Sequence, residues 1–544
     1  MTGPDEPAGE PPELVGGARP GPPRASLARN TAVMAAGTLA SRATGFGRLV
    51  ALAYAMGFTR LTDSYNLANV TPNIVYELVL GGILSATLLP VFVERLATDD
   101  EEDAWRAISA VITAAAALLL VVTAVFVVVA PVLVRLYTVG NDSATVDEQR
   151  IVATSLLRMF APQVALYGFV ALATAVLNAR RRFAAPMFAP VLNNLVVIGV
   201  FLALPHVVDE VTLTGVGDDA GARLLLGLGT TAGVAAMALA LGPSLRAAGA
   251  RLRFVWDPRH PAVVAIVRLS GWTFGFVAAN QVALTVVLVL ANGRAGDVAA
   301  YQAGIVFFQL PYGVFAVSVM TALQPDLAER WALGDVAGFG RRVGAGLRTI
   351  AVVVVPAAVG YLCLARPIVG VVLEHGALQA SSASTTAGVL ALLALGLPGY
   401  SLFLFLMRAF QSMKDTRSVF YLYLVENGLN VVLALALYPS LGVQGLALAY
   451  ALAYTGGAVA ALVVLQRRTR SVDTAHVIRT WVRIATASAV MAAAVSAVVV
   501  AVEPALARAA TGVVAGVTVY LLVAQRLGIE ELATVLPTRR RTPR

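Results

Sequence analysis

The sequence predicts an all-α polytopic membrane protein with about fourteen transmembrane helices, and three observations carry that reading. The first is composition. Of 544 residues, 58% are hydrophobic and only 13% are charged, too few polar residues to cover a soluble domain and the reverse of what disorder requires. The second is the recurrence of apolar segments of roughly 20 residues, each long enough as a helix to cross a hydrocarbon core about 30 Å thick. The third is a set of loops whose basic residues alternate in phase. The same numbers exclude other classes. One cysteine, Cys363, and four histidines leave no disulfide framework, iron–sulfur site or zinc centre to build, so no metal site is expected. A net charge of +9 does not point to nucleic acid, because the arginines sit in short stretches between apolar segments.

Taken in order, residues 1–28 are rich in Pro and Gly, carry no apolar run, and read as a disordered cytoplasmic tail. The spans then fall at 31–57, 64–93, 107–133, 151–178, 185–205, 222–243, 262–291, 298–323, 345–373, 386–410, 418–438, 443–465, 480–502 and 507–525. Alternate loops carry Arg180, Arg181 and Arg182, then Arg246, Arg251, Arg253 and Arg259, then Arg330, Arg341 and Arg342, then Lys414 and Arg417, then Arg467, Arg468 and Arg470. A basic tail with Arg539, Arg540, Arg541 and Arg544 closes the chain. The opposite loops hold Asp142, Asp147, Glu148, Asp209, Glu210, Asp218 and Asp219. One loop on the basic side, from Asp99 to Asp103, is acidic, but orientation follows basic residues and acids contribute little. An even number of spans with both termini cytoplasmic follows.

A weak internal repeat is visible. A basic turn enters an apolar helix with buried amides at Arg180–Phe183 through Asn193 and Asn194, and a comparable turn at Lys414–Arg417 leads to Asn427 and Asn430. Repeats of this kind let two bundles rock against each other around a central site.

Several residues do not belong in lipid. Arg42 and Arg48 interrupt the first span. At roughly 2.5 to 3.5 kcal/mol per central arginine, they should face protein or a water-filled cavity. Six residues along a helix are about 120° apart, so they share no narrow face, and Gly45 and Gly47 offer a bend between them unless the cavity is wide. Guanidinium groups in a cavity bind phosphate or carboxylate, so the ligand should be anionic. In the second span, Asn66, Asn69 and Asn73 recur at three and four residues on one face, Asp63 reads as a helix cap or a cavity acid, and Pro72 as a kink. Glu77 needs a partner there, with Arg42 and Arg48 as candidates. Gln309 and the Pro311–Gly313 break mark a bent eighth span lining the same cavity, whereas Arg408 reads as an interfacial anchor. In the eleventh span Glu426, Asn427 and Asn430 form a buried carboxylate–amide cluster. It could couple Na+ or protons, or it could join helices as a neutral acid.

The run Ser41-Arg42-Ala43-Thr44-Gly45-Phe46-Gly47-Arg48, with Thr62–Asn66, Pro72–Val75, Phe308–Val314 and Thr321–Pro325, resembles the MurJ (MviN) family of lipid II flippases over about residues 29–525. The resemblance implies the fold of the multidrug/oligosaccharidyl-lipid/polysaccharide (MOP) exporter superfamily: an N-lobe at 29–245 and a C-lobe at 246–470, each of six helices, around a central cavity. Two last helices at 471–527 would form a groove for a lipid tail, ahead of the basic cytoplasmic tail at 528–544. It also implies that Arg42 and Arg48 match two essential arginines and Asp63 an acidic residue of the family. Tyr76 and Glu77 stand where many members carry basic residues, and Ile305 and Val306 where they carry an Asp-Arg pair, so this cavity is less cationic.

What the resemblance implies is a transporter of the bacterial plasma membrane rather than an enzyme. Arg42 and Arg48 would bind the pyrophosphate of the peptidoglycan precursor, while Asp63, Asn66, Asn69, Asn73, Glu77 and Gln309 would line the site. The chain contains no Walker A sequence for ATP, so membrane potential or Na+ or proton coupling would drive the cycle, with no cofactor. Partners would be lipid II, membrane lipids and the cell-wall synthesis machinery. A flippase for another polyprenyl-linked glycan shares the phosphate chemistry. A membrane-embedded glycan polymerase would need larger outer loops. A cation antiporter would need cavity acids in place of the arginines.

Overall fold

The structure, a computed structural model, describes residues 24–81, 88–98, 100–269 and 271–535. Gly82 and Asp99 lie outside the described residues, as do most of the expected N-terminal tail and the arginines at 539–541 and 544. The tail ends earlier than expected, because the first helix already begins at Arg24. The described residues are helical throughout, with no strand among them.

The first six spans are built from α1 (Arg24–Met56), α2 (Arg60–Tyr76), α3 (Leu89–Thr98), α4 (Glu101–Tyr137), α5 (Val146–Phe160), α6 (Pro162–Ala179), α7 (Ala184–Ala203), α8 (Leu213–Asp218) and α9 (Ala220–Ala247). The next six use α10 (Pro261–Leu269), α11 (Gly271–Ala291), α12 (Asp297–Pro311), α13 (Val317–Ala332), α14 (Val336–Leu373), α15 (Ala380–Leu395), α16 (Leu397–Ser412), α17 (Thr416–Leu441) and α18 (Val443–Thr469). The chain ends with α19 (Thr474–Ala501), α20 (Ala505–Arg526) and α21 (Leu532–Val535). Among the described residues, eleven helices are long and apolar enough to cross a membrane, and α15 with α16, bent by 49°, makes a twelfth. The sequence count of fourteen exceeds this by the first two segments, the ones that carry Arg42, Arg48, Asp63 and the asparagines. The second of these lies partly outside the described residues.

Helix starts and stops follow local chemistry. Asp219, Asp335, Asp415 and Asp473 each accept a backbone N–H of the first turn of α9, α14, α17 and α19, the usual service of an N-cap carboxylate. Four turns at the basic end share one shape. After α6 the Arg182 N–H donates to Leu177 and the Arg181 N–H to Asn178, and after α16 the Asp415 N–H donates to Phe410 and the Lys414 N–H to Gln411. The turns after α9 and α13 repeat this pattern with Gly249 and Gly334 at the left-handed position. Arg181 and Lys414 occupy that position at φ 56° and 58°, a conformation that favours glycine. Those two turns are the ones the sequence repeat picked out.

Packing repeats as well. α7 lies between α1 and α9, as α17 lies between α11 and α18. α2 and α6 join the first group through α5 and α9, and α12, α14 and α16 join the second through α15 and α18. The groups touch through α2 with α12, α4 with α11, and α1 with α14, while α19 and α20 pair and pack on α14. α1 continues as a helix through Gly45 and Gly47. Gly37 serves close approach: a Cβ there would sit 2.6 Å from the Met187 Cβ of α7, closer than side chains can come.

Both expected helix breaks are π-helical turns, at Glu77–Gly81 after Pro72 and at Tyr312–Ala316 after Pro311. Proline removes one backbone donor without ending the helix, and the carbonyl that Pro311 frees, that of Phe307, accepts the Tyr361 hydroxyl at 2.8 Å. The bend lets α12 and α13 serve as one long element between the two groups.

Candidate functional site

The centre of the site is α1. Asn194 of α7 donates to the Ser41 carbonyl at 3.2 Å and to Thr44 Oγ1 at 3.1 Å, fixing the rotation of the helix that carries both arginines. Arg42 and Arg48 are half-buried, and among the described residues neither is ion-paired. Arg42 Nε is buried without a hydrogen-bond partner. Its guanidinium lies flat against Gly313 in the second π-turn, where a Cβ would fall 2.4 Å from Arg42 Cζ. Arg48 points the other way, toward Tyr65 and Tyr167 of the first group. The two cations thus reach different groups of helices, and the edge-to-face contact of Phe46 with Phe307 at 5.1 Å packs α1 onto α12 beside them.

The asparagine stripe of α2 grades from Asn66, buried, through Asn69, half-buried, to Asn73, exposed. Among the described residues, neither these amides nor half-buried Gln309 makes a side-chain hydrogen bond. Glu77 corrects an expectation. It is half-buried at the start of the first π-turn and, among the described residues, makes no ion pair with Arg42 or Arg48.

Asp63 is fully buried, and its two oxygens accept the backbone N–H groups of Gly296 at 2.6 Å and Ala299 at 3.1 Å. It caps α12, not its own helix, where the free N–H groups and positive end of a helix favour a carboxylate. The sequence placed it among ligand-contacting residues; in this state it ties the two groups together. Around it, Arg60 donates to the Asn292 carbonyl at 2.7 Å, Gln149 donates to Asn292 Oδ1 at 2.8 Å, and Asn292 donates to the Tyr137 carbonyl at 3.0 Å. The Ala377 N–H donates to the Tyr54 carbonyl at 2.9 Å. This network joins the two groups at the end away from the basic turns.

Sequence reasoning missed Asn292, Gln149 and Arg60, whose only signal was amides beside an acidic-side loop. Arg408, expected as an interfacial anchor, is exposed near the end of α16, and its charge, like that of Arg42, reaches Tyr312.

Glu426 of α17 is fully buried, both carboxylate oxygens lack hydrogen-bond partners, and so does Asn430 Oδ1 one turn on. Asn427 donates to the Tyr423 carbonyl of its own helix at 2.9 Å. Aromatic rings enclose the acid: Tyr400, Tyr450 and Tyr454 meet at centroid distances of 4.6–6.0 Å, and Phe403 touches Tyr423 and Tyr454. Glu426 and Asn430 could hold a cation, but two unpaired side chains supply fewer oxygens than a hard metal ion takes. No cluster of three or more metal-binding side chains occurs among the described residues.

On the other side of the second π-turn lies an apolar cavity of about 420 Å³. Pro311 and Phe315 face it, opposite Tyr361 of α14, Met491 of α19 and Gly516 of α20. One short turn thus separates a guanidinium from a lipid-like space.

Comparison with known proteins agrees with this architecture. The family model described as Lipid II flippase MurJ matches residues 52–521. A probable lipid II flippase MurJ of Rhizobium tropici is 27% identical over 444 residues, 81% of each chain. One of Thermotoga maritima is 26% identical over 512 residues, 94% of this chain and 99% of its own. A solved lipid II flippase MurJ in an inward closed conformation superposes with TM-score 0.75 at 20% identity, covering 92% of this chain and 99% of that one. An inward-facing multidrug resistance MATE family transporter of the MOP superfamily gives 0.64 at 13% identity, over 79% and 94%.

Proposed function

This chain belongs to the MurJ family, that of lipid II flippases, and from that premise we propose that it carries lipid II from the cytoplasmic to the outer leaflet of the bacterial plasma membrane by alternating access. The reading makes it a transporter, with no covalent bond changed. The observation that carries it is the juxtaposition across Tyr312–Ala316: an arginine without an acidic partner on one side and an apolar cavity on the other. A pyrophosphate joined to a polyprenyl chain needs both at bonding distance. Arg42 and Arg48 hold the pyrophosphate, Arg408 supplies a third cation from the second group, and Asn66, Asn69, Asn73 and Gln309 meet the sugar. The groove beside α14, α19 and α20 takes the tail.

The packing supports lobes at 29–245 and 246–470 with the groove helices at 471–527. The basic turns face the cytoplasm, with both termini on that side, so the state described here is closed outward by the Asp63 network. Glu426 serves as the coupling acid. Its phenol-lined, oxygen-poor surroundings favour a proton over Na+, and a potential of 100 mV contributes about 2.3 kcal/mol per charge moved. The test is complementation in a strain depleted of its own flippase, with translocation of lipid II and of other polyprenyl-linked glycans measured in parallel. The wild type restores wall synthesis and prefers lipid II, whereas Arg42→Ala and Arg48→Ala, expressed equally, do not restore it. Full rescue by both variants overturns the assignment.

A further inference from the structure

The far end of the apolar groove is made by the last residues described. After α20 the chain turns at Gly528, φ 64°, and returns to the bundle. Ile529 and Leu532 are buried in one cluster with Val352, Ile484, Met491 and Tyr520, and Leu532 is itself part of the groove wall. Glu531 between them meets Arg348 of α14 at 2.5 Å, with the two side chains only 12% and 17% exposed. Along α14 the groove runs from Val352 to Ile368, about 24 Å at 1.5 Å per residue. Leu532 stands at the Val352 end, and an apolar chain filling that length meets it there.

We propose that residues 528–535 are a latch that shuts the basic end of the groove, clasped by Arg348 and Glu531 and displaced when the distal part of a long polyprenyl chain occupies the surface that Ile529 and Leu532 cover. The proposal rests on the groove being the tail site. Three features argue for a releasable contact. The segment contributes two apolar side chains rather than a span, its one buried clasp is a charge pair whose ions regain hydration when they part, and the surface beneath it is continuous with the cavity. A short isoprenoid pyrophosphate satisfies the arginines without reaching Leu532. The latch therefore makes the protein sense tail length separately from head group.

Amide hydrogen exchange of residues 528–535 in the full chain, held in lipid nanodiscs, tests this. Undecaprenyl pyrophosphate raises exchange of the segment about tenfold, and farnesyl pyrophosphate at a concentration that also saturates the protein leaves it unchanged. Glu531→Gln raises exchange without any lipid, and the exchanged pair Arg348→Glu with Glu531→Arg returns it to the slow value. Exchange that stays slow with the long chain, or a Glu531→Gln segment as protected as wild type, overturns the latch. Gly516→Trp, which fills the groove, separates the two readings. If it weakens binding of undecaprenyl pyrophosphate while exchange of 528–535 never responds, the latch alone fails; if binding is untouched, the groove is not the tail site.

Discussion

Asp63 and Glu426 are both carboxylates without solvent exposure, each on a helix that carries polar residues through the bundle. Asp63 receives two backbone N–H groups from a helix that starts beside it, and the residues around it, Arg60, Gln149 and Asn292, are hydrogen-bonded to one another or to backbone. Glu426 receives nothing, its neighbour Asn430 keeps an unpaired oxygen, and aromatic rings surround it. Buried polar groups are nearly always satisfied. The satisfied acid is a fastening between two bodies. The unsatisfied one is the group that the proposed coupling role would use.

The largest effect expected from breaking this contrast is at Asp63. Asp63→Ala removes two hydrogen bonds to a charged group, each worth about 1.5 to 3 kcal/mol. That is enough to turn a closed outer end into a largely open one. Single cysteines placed near Asn292 should then label from the outside in the variant and stay protected in the parent, and equal protection would count against the fastening. Next comes Gly313→Val. A side chain there displaces the Arg42 guanidinium, so lipid II translocation should fall about tenfold or more while the protein folds and inserts normally. Unchanged translocation would remove Gly313 from the site. Glu426→Gln sharpens the contrast because no hydrogen bond is lost. Thermal stability should hold or rise, while acceleration of transport by a proton gradient disappears. If the variant still responds to the gradient, Glu426 is not the coupling acid.

The smallest effect concerns Asp335, outside the spans. The N–H of Gly338 and the Arg330 guanidinium hold its carboxyl below the ordinary carboxylate range. A lowered value in the folded state means the contact stabilises at neutral pH and is lost as pH falls from the ordinary range through the lowered one. Exchange at the start of α14 should quicken only under strongly acidic conditions, and Asp335→Asn should quicken it at neutral pH. Quickening near pH 6 would mean another group is responsible.

Much of this was legible before the fold was known. Apolar runs and basic loops report a helix's environment one segment at a time, so the order of the elements, Arg42 and Arg48, and the Pro311 break could be read directly. The partners of Asp63 could not, because they are backbone N–H groups 233 and 236 residues away and every residue but proline carries one.

The outer seal has one further consequence. Its main contacts end on peptide atoms: Gly296 and Ala299 N–H, the Asn292 carbonyl, and the Ala377–Tyr54 pair. The main-chain half of that seam survives sequence drift, since replacing most of the residues that contribute an amide leaves the amide in place, whereas Asp63 and Arg60, the side chains that reach it, cannot change without loosening it. An inhibitor meant to pry it apart would do best to offer those amides a competing carboxylate.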